Sequence, residues 1–416
     1  MRRLLFVLSI LALALLPLPA QVSVRYQVKD LGVLPGWVES HAFGVNWLGQ
    51  VTGSVTDATS DPNCHAFLWN SLTGMRDIGT AGDPAMCAQG RAVDAFGRVA
   101  GYLVRRGTQP EVLRTFFYSP GGPLIDIGAL HSNAPTTSAV FRDMNNRGEI
   151  VGFSHEREPA IPNSLAFYWS RQTQMVALAS LGPEASSIAQ GINDSGRIVG
   201  YGGTGFQGPP HAFYMASRTS PMADLAAKFF PSASGQSYAL FINSRNQVAG
   251  DYQEDSTRVS FFIPDPDAST IHFTANLGLT GGVFVTKGMN EAGQVVGICN
   301  PSLTEPAPVV QSFRWAPEKP IEILSPLTGD AGSEPVAINL WGQVVGNSST
   351  AGPPIHAVLW KAGATAATAL PAIEAAGECR ATNINDLGVI SGTCWRRGVP
   401  HAVIWTPQLT LGRESN

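Results

Sequence analysis

From Ala189 to Gly200 the chain reads Ala-Gln-Gly-Ile-Asn-Asp-Ser-Gly-Arg-Ile-Val-Gly, two apolar runs on either side of a polar turn. Ile192, Ile198 and Val199 are β-branched and suit a pleated, half-buried surface. Asn193 can bond its own backbone two residues on, and Gly196 can take the positive φ that ends such a turn. The pattern predicts strand, tight turn, strand. It returns eight times, with the turn residue at Asn46, Asp94, Asn145, Asn193, Asn243, Asn290, Asn339 and Asn385. A glycine stands three residues on, replaced once by Asn246, and a second glycine four later, from Gly53 to Gly392. The turns are 46 to 51 residues apart, a period that belongs to repeat architectures.

After each hairpin comes a short strand apolar on both faces, as in His65-Ala66-Phe67-Leu68-Trp69, Leu165-Ala166-Phe167-Tyr168-Trp169 and His401-Ala402-Val403-Ile404-Trp405. Such strands fit a sheet packed between neighbouring sheets. A fourth strand follows a turn, as in Met75-Arg76-Asp77-Ile78-Gly79, with weaker copies elsewhere. Four antiparallel strands in one period make a propeller blade. The ends of the chain supply a further clue. No good fourth strand follows Trp405, whereas Val28-Lys29-Asp30-Leu31-Gly32 precedes the first hairpin and matches Met75 to Gly79 position for position. The expected fold is all-β, a closed propeller of about eight four-stranded blades whose N-terminal strand completes the last blade and removes its open edge.

These spaced sub-motifs, Ile-Asn-x-x-Gly-x-Val-Val-Gly, His-Ala-Phe-x-Trp and Met-x-Asp-Leu-Gly, resemble the extracellular HAF-repeat family of bacterial proteins over essentially the whole chain after residue 20. The resemblance implies export and a repeat architecture, and brings no catalytic residues with it. Blades 2, 3, 5 and 6 depart from the pattern by lacking the histidine.

Met1-Arg2-Arg3, the apolar run Leu4 to Leu16 and Pro17-Leu18-Pro19-Ala20 read as a secretory signal peptide over 1–20, too short to span a bilayer. Residues 21–416 then form one secreted or periplasmic domain. With Arg2 and Arg3 removed the formal charge is −6, which argues against nucleic acid or an anionic membrane as the main partner. Five cysteines fit an oxidising compartment. Cys379 and Cys394 lie symmetrically about the Asn385 turn and should face each other as a disulfide. Cys64 and Cys87 precede strands that begin on one face, which makes a second bond, and Cys299 is left as a small buried thiol.

His65, His211, His356 and His401 share one repeat position, but in separate blades they stand far apart. Each is expected to bond a neighbouring loop rather than join a metal ring. The Asn-x-x-Gly turns lack the downstream acid of a calcium loop, so no metal or cofactor is expected. No nucleophile elbow, zinc-binding His-Glu-x-x-His, Walker loop or Cys-x-x-Cys occurs. Three residues before the turn, the inner strands carry Arg91, Arg142, Gln190 and Lys287. These form a partial basic ring suited to an acidic glycan or carboxylate, unless they pair with acids such as Asp143 and Glu334 or face water. Regular repeats without catalytic motifs favour a monomeric, non-catalytic binding scaffold for a glycan or protein. The alternative is an extracellular propeller enzyme, a hydrolase or lyase, acting on polysaccharide.

Overall fold

The computed structural model describes residues 22–57, 63–105, 112–130, 137–155, 164–205, 208–230, 235–274, 283–300, 310–350, 352–375 and 377–411. The expected signal peptide over 1–20 lies outside them, as do the loop charges Arg106 and Glu156-Arg157-Glu158. The chain is all-β, with one short helix among the described residues, Leu225–Phe229, capped by the Asp224 carboxylate. Its strands form six four-stranded antiparallel sheets and one of eight strands. In the eight-stranded sheet, two four-stranded halves meet at the single parallel pair Arg258–Val283, and these halves are counted below as the fifth and sixth of eight sheets. This is the layered architecture of a β-propeller. Each sheet takes four strands in sequence order except the last, where Val22–Asp30 from the N-terminal end pairs antiparallel with Val399–Leu411.

The core is divided among the gaps between sheets. Eight apolar clusters each join side chains of two consecutive sheets. One of them packs Ala402 and Ile404 of the last sheet against Leu31, Ala42 and Phe67 beside and within the first. Apolar residues on both faces of the third strands serve these two-sided contacts.

The turns hold as their residues suggest. Asn193 Oδ1 accepts the backbone N–H of Ser195 and Arg197, and Gly196 has φ +79°. Asn246, which replaces a glycine, also takes a left-handed φ of +66°. The same asparagine does more than shape its turn. Asn193 Nδ2 donates to the Asn243 carbonyl of the next sheet at 2.9 Å, and six equivalents repeat the bond. The bond from Asn385 reaches the Asn46 carbonyl at 2.7 Å, from the last sheet to the first. Asp94 has no amide to give. Arg98 reaches over instead, pairing with the Asp94 carboxylate and donating to the Asn146 carbonyl at 2.7 Å.

Both predicted disulfides are present. Cys379–Cys394 crosses one hairpin between directly paired residues, and Cys64–Cys87 ties the first sheet to the second. Cys299 is a buried free thiol, pushed up to about 11 by burial. Replacing Cys379 and Cys394 by serine should lower unfolding stability by about 3 kcal/mol, the cost of freeing a loop of that length. Chemical denaturation of the oxidised protein and the variant measures it. No helix among the described residues is long and apolar enough to cross a membrane.

Candidate functional site

The first strands of neighbouring sheets lie alongside one another at the inner edge of the array, except that Ser138–Met144 of the third sheet meets the second and third strands of the second sheet. Each of these strands is broken at the same place. Pairing skips one residue between Gly90 and Ala92, Phe141 and Asp143, Ala189 and Gly191, and Thr286 and Gly288, and likewise in the other four. A bulge leaves its extra residue unpaired and re-aims the side chain. The skipped residues are Arg91, Arg142, Gln190 and Lys287, with Phe43, Leu240, Val336 and Thr382 completing the set. The second glycine of the repeat faces this irregularity. A Cβ on Gly200 would lie 2.0 Å from the Ile188 carbonyl oxygen, and the other seven meet a carbonyl as closely.

Arg91 sits in the most developed environment. Its guanidinium lies 4.2 Å from the Phe43 ring centre and 5.1 Å from that of Tyr102. Nη2 donates to Gln89 Oε1 at 2.8 Å, while Nε is buried and has no hydrogen-bond partner among the described residues. Burial lowers the affinity of this guanidinium for its proton. Two residues before Phe43 on the same strand, His41 places Nε2 3.5 Å from a Glu39 carboxylate oxygen. Burial lowers the imidazole pKa below its ordinary value, and Glu39 only partly offsets that.

The other three basic-ring positions do not converge on this corner. Arg142 is exposed and lies over the Phe153 ring. Lys287 reaches across to Glu334 of the next sheet at 2.7 Å. Gln190 is half-buried at the equivalent register. Asp143 is no partner for Arg142. Its carboxyl accepts the backbone N–H of Met144 and Ile192, and burial pushes its pKa up to about 6. Among the loop charges, Arg105 pairs with Asp83 and Arg396 with Asp30.

Three of the repeated histidines bond an acid of the fourth strand rather than a loop, while His356 bonds an acid in a loop as expected. His65 Nδ1 lies 2.8 Å from Asp77, His211 Nδ1 2.8 Å from Asp224, and His401 Nδ1 3.0 Å from Asp30. Each acid is the Asp of the Met-x-Asp-Leu-Gly pattern or its equivalent, so the pair staples the third strand to the fourth. In the second sheet Arg114 takes the histidine's place opposite Asp126 at 3.2 Å. His356 uses Asp330 instead, 3.1 Å away. No group of three metal-binding side chains occurs among the described residues. A cleft of about 390 Å³ beside the Cys64–Cys87 bond is lined by Trp37, Asp57, His65 and Met86, with the Trp37 and His65 rings 4.7 Å apart.

No family model matches the chain, and no curated protein matches it either. Solved structures do. A puromycin hydrolase mutant complexed with PGG is 10% identical with TM-score 0.55, over 86% of this chain and 58% of that one. A prolyl endopeptidase is 10% identical with TM-score 0.51, over 77% of this chain and 49% of that one. The β-propeller domain of the trilobed protease from Pyrococcus furiosus gives 8% identity and TM-score 0.45 over 91% and 99%. The chain therefore spans about half the length of the two peptidases with the higher scores. The likeness concerns the fold. It also corrects the expectation of a non-catalytic scaffold. That expectation rested on regular repeats and missing linear motifs, yet the two higher-scoring structures that share this architecture are a puromycin hydrolase and a prolyl endopeptidase.

Proposed function

We propose that the protein is an exported hydrolase of peptide or related amide bonds, built on a propeller of eight blades closed into a ring by its N-terminal strand. The HAF-type repeats and the basic head and apolar run of residues 1–20 support export. The eighth interface cluster and the Asn385–Asn46 bond support closure. The substrate class follows the peptidases that share the architecture and replaces the polysaccharide considered from sequence.

One observation carries the chemistry: the strand that bears His41, an imidazole of lowered pKa, also bears Phe43, whose ring holds the desolvated Arg91 guanidinium with its unused Nε. His41 is neutral at pH 7, and Glu39 beside Nε2 leaves Nδ1 as the atom to act as base. In the proposed step Nδ1 takes a proton from water as the hydroxide oxygen bonds to the substrate carbonyl carbon. Arg91 stabilises the resulting oxyanion, since a fixed cation in a water-poor site acts where charge develops. The proton then passes from His41 to the leaving nitrogen as the carbon–nitrogen bond breaks. Gln89 holds Arg91 in place, and Phe43 and Tyr102 keep water from its faces.

The test is turnover of aminoacyl and dipeptidyl 4-nitroanilides by the purified full chain. His41→Ala should lower kcat/KM by about 10²–10⁴-fold with an unchanged melting temperature. Activity should require the unprotonated imidazole, so the acid limb of kcat/KM against pH should fall below pH 6.5, the unperturbed histidine value. Absence of turnover on the whole peptide panel, or turnover indifferent to His41, would overturn the assignment.

A further inference from the structure

Five of the large apolar side chains left exposed gather on one face. Trp47, Leu48, Phe96, Trp341 and Leu387 are 55, 56, 68, 64 and 64% exposed. All five stand one or two residues after the turn Asn or Asp, in the hairpins of the seventh, eighth, first and second sheets. Those hairpins are consecutive neighbours, joined Asn339 to Asn385, Asn385 to Asn46 and Asn46 to Asp94 by side-chain-to-carbonyl bonds. Trp341 Nε1 also donates to the Asp386 carbonyl at 2.7 Å. The apolar tips therefore form one continuous arc. The remaining four hairpins carry one charge each at their tips, Arg147 and Arg245 two residues after the turn Asn and Asp194 and Glu291 one residue after it, alternating in sign around the ring.

We infer that this turn face is the contact between two copies of the chain, related by a two-fold axis that lies in the face and passes between the first and eighth sheets. This inference uses the ring of eight but not the hydrolase assignment. A rotation about that axis exchanges the first sheet with the eighth, the second with the seventh, the third with the sixth and the fourth with the fifth. Trp47 and Leu48 then meet Leu387, and Phe96 meets Trp341. Arg147 meets Glu291, and Asp194 meets Arg245. Both charged pairings are between opposite charges, and the exposed Asp386 of the eighth hairpin meets no like charge on the first. Two copies meeting on a self-complementary patch is the commonest closed symmetry of soluble oligomers.

Area agrees. With roughly 200 Å² for a large side chain, the five exposed fractions leave about 600 Å² of apolar surface on each copy. A face-to-face pair would cover about 1,200 Å², the lower end of specific interfaces, before the charged half is counted. The carboxylates are free to take part. Asp194 accepts from Asn146 and Glu291 from Ser244, and each retains further acceptor capacity. The turns are pinned by their own bonds, so little ordering is needed on contact. A net negative surface argues for this occupant over an anionic lipid surface.

Sedimentation equilibrium of the purified full chain over a range of concentrations tests the inference. A reversible dimer is expected. Phe96→Asp should weaken it by at least about thirtyfold, as loss of a central aromatic anchor does, without changing the melting temperature. Arg245→Asp should weaken it by about tenfold, and adding Asp194→Arg should restore it, since the swapped charges face each other again. A monomer at every concentration, a dimer indifferent to Phe96→Asp, or a charge-swapped pair that stays weak would overturn it. So would a monomer that binds neutral phosphatidylcholine vesicles through Phe96, which would give the arc to a membrane.

Discussion

Deleting Arg25 to Gly32 should destabilise the whole molecule as one unit, lowering its single melting transition instead of adding an early, shallow one. The segment is peripheral in exposure but central in connection. Tyr26 and Val28 pack against the cluster between the seventh and eighth sheets, and buried Leu31 belongs to the cluster between the eighth and the first. The Leu31 N–H donates to the Ala402 carbonyl at 2.9 Å, and Asp30 bonds His401 and Arg396. At 1.5–3 kcal/mol for each apolar side chain fully buried, and less for the two that are half-buried, the loss comes to roughly 5 kcal/mol. That is a large part of the stability of an ordinary domain. It also bares the edge of Val399–Leu411 to pairing with other chains. Differential scanning calorimetry decides the matter, and a transition unchanged in midpoint and sharpness would refute ring closure.

Gly200→Val should be nearly as damaging, for a reason invisible in any list of contacts. The first carbon of the new side chain would fall 2.0 Å from the Ile188 carbonyl oxygen, 2.8 Å from the Phe213 ring and 2.9 Å from the Ala189 α-carbon. Two of those three neighbours are backbone held in a sheet, so neither can swing aside. Overpacking costs about 1–3 kcal/mol even where side chains can adjust, and the cost here should exceed that. Gly205→Ala is the matched control. Nothing lies within 4 Å of its added carbon, and its φ is not left-handed, so stability should stay within about 0.5 kcal/mol. Urea titration of both variants gives the comparison, and equal stabilities would show that the inner strands can move.

Much of this architecture was readable from residue spacing. The turn asparagines, the left-handed glycines, the completing N-terminal strand and both disulfides depend on local chemistry that recurs at fixed offsets. The bulge did not announce itself, because one extra residue leaves the hairpin length and the turn unchanged. Its trace is the second glycine, which recurs because the bulged partner strand leaves no room for a side chain. Without the bulge, Arg91, Arg142, Gln190 and Lys287 looked like one basic ring. Their surroundings separate them, since Phe43 and Glu334 come from neighbouring sheets and Tyr102 and Phe153 from the next strand of the same hairpin. The His–Asp staples lay closer to hand. The motif holding the histidine and the motif holding the aspartate both recur, and only their pairing across strands three and four was missing. His41 acquires its interest from Glu39 and from burial, which no repeat alignment weighs.

The turn asparagines also bear on how such a chain could arise. Each sends its amide to the following hairpin, so a single module standing alone would leave that donor to water and its own carbonyl without the donor behind it. A gene made by copying one module gains these bonds with every copy and gains the final one only when the series comes full circle. Copies can then drift apart, provided something still spans each gap. The second module shows such a substitute: Asp94 has no amide, and the long arm of Arg98 makes the reach.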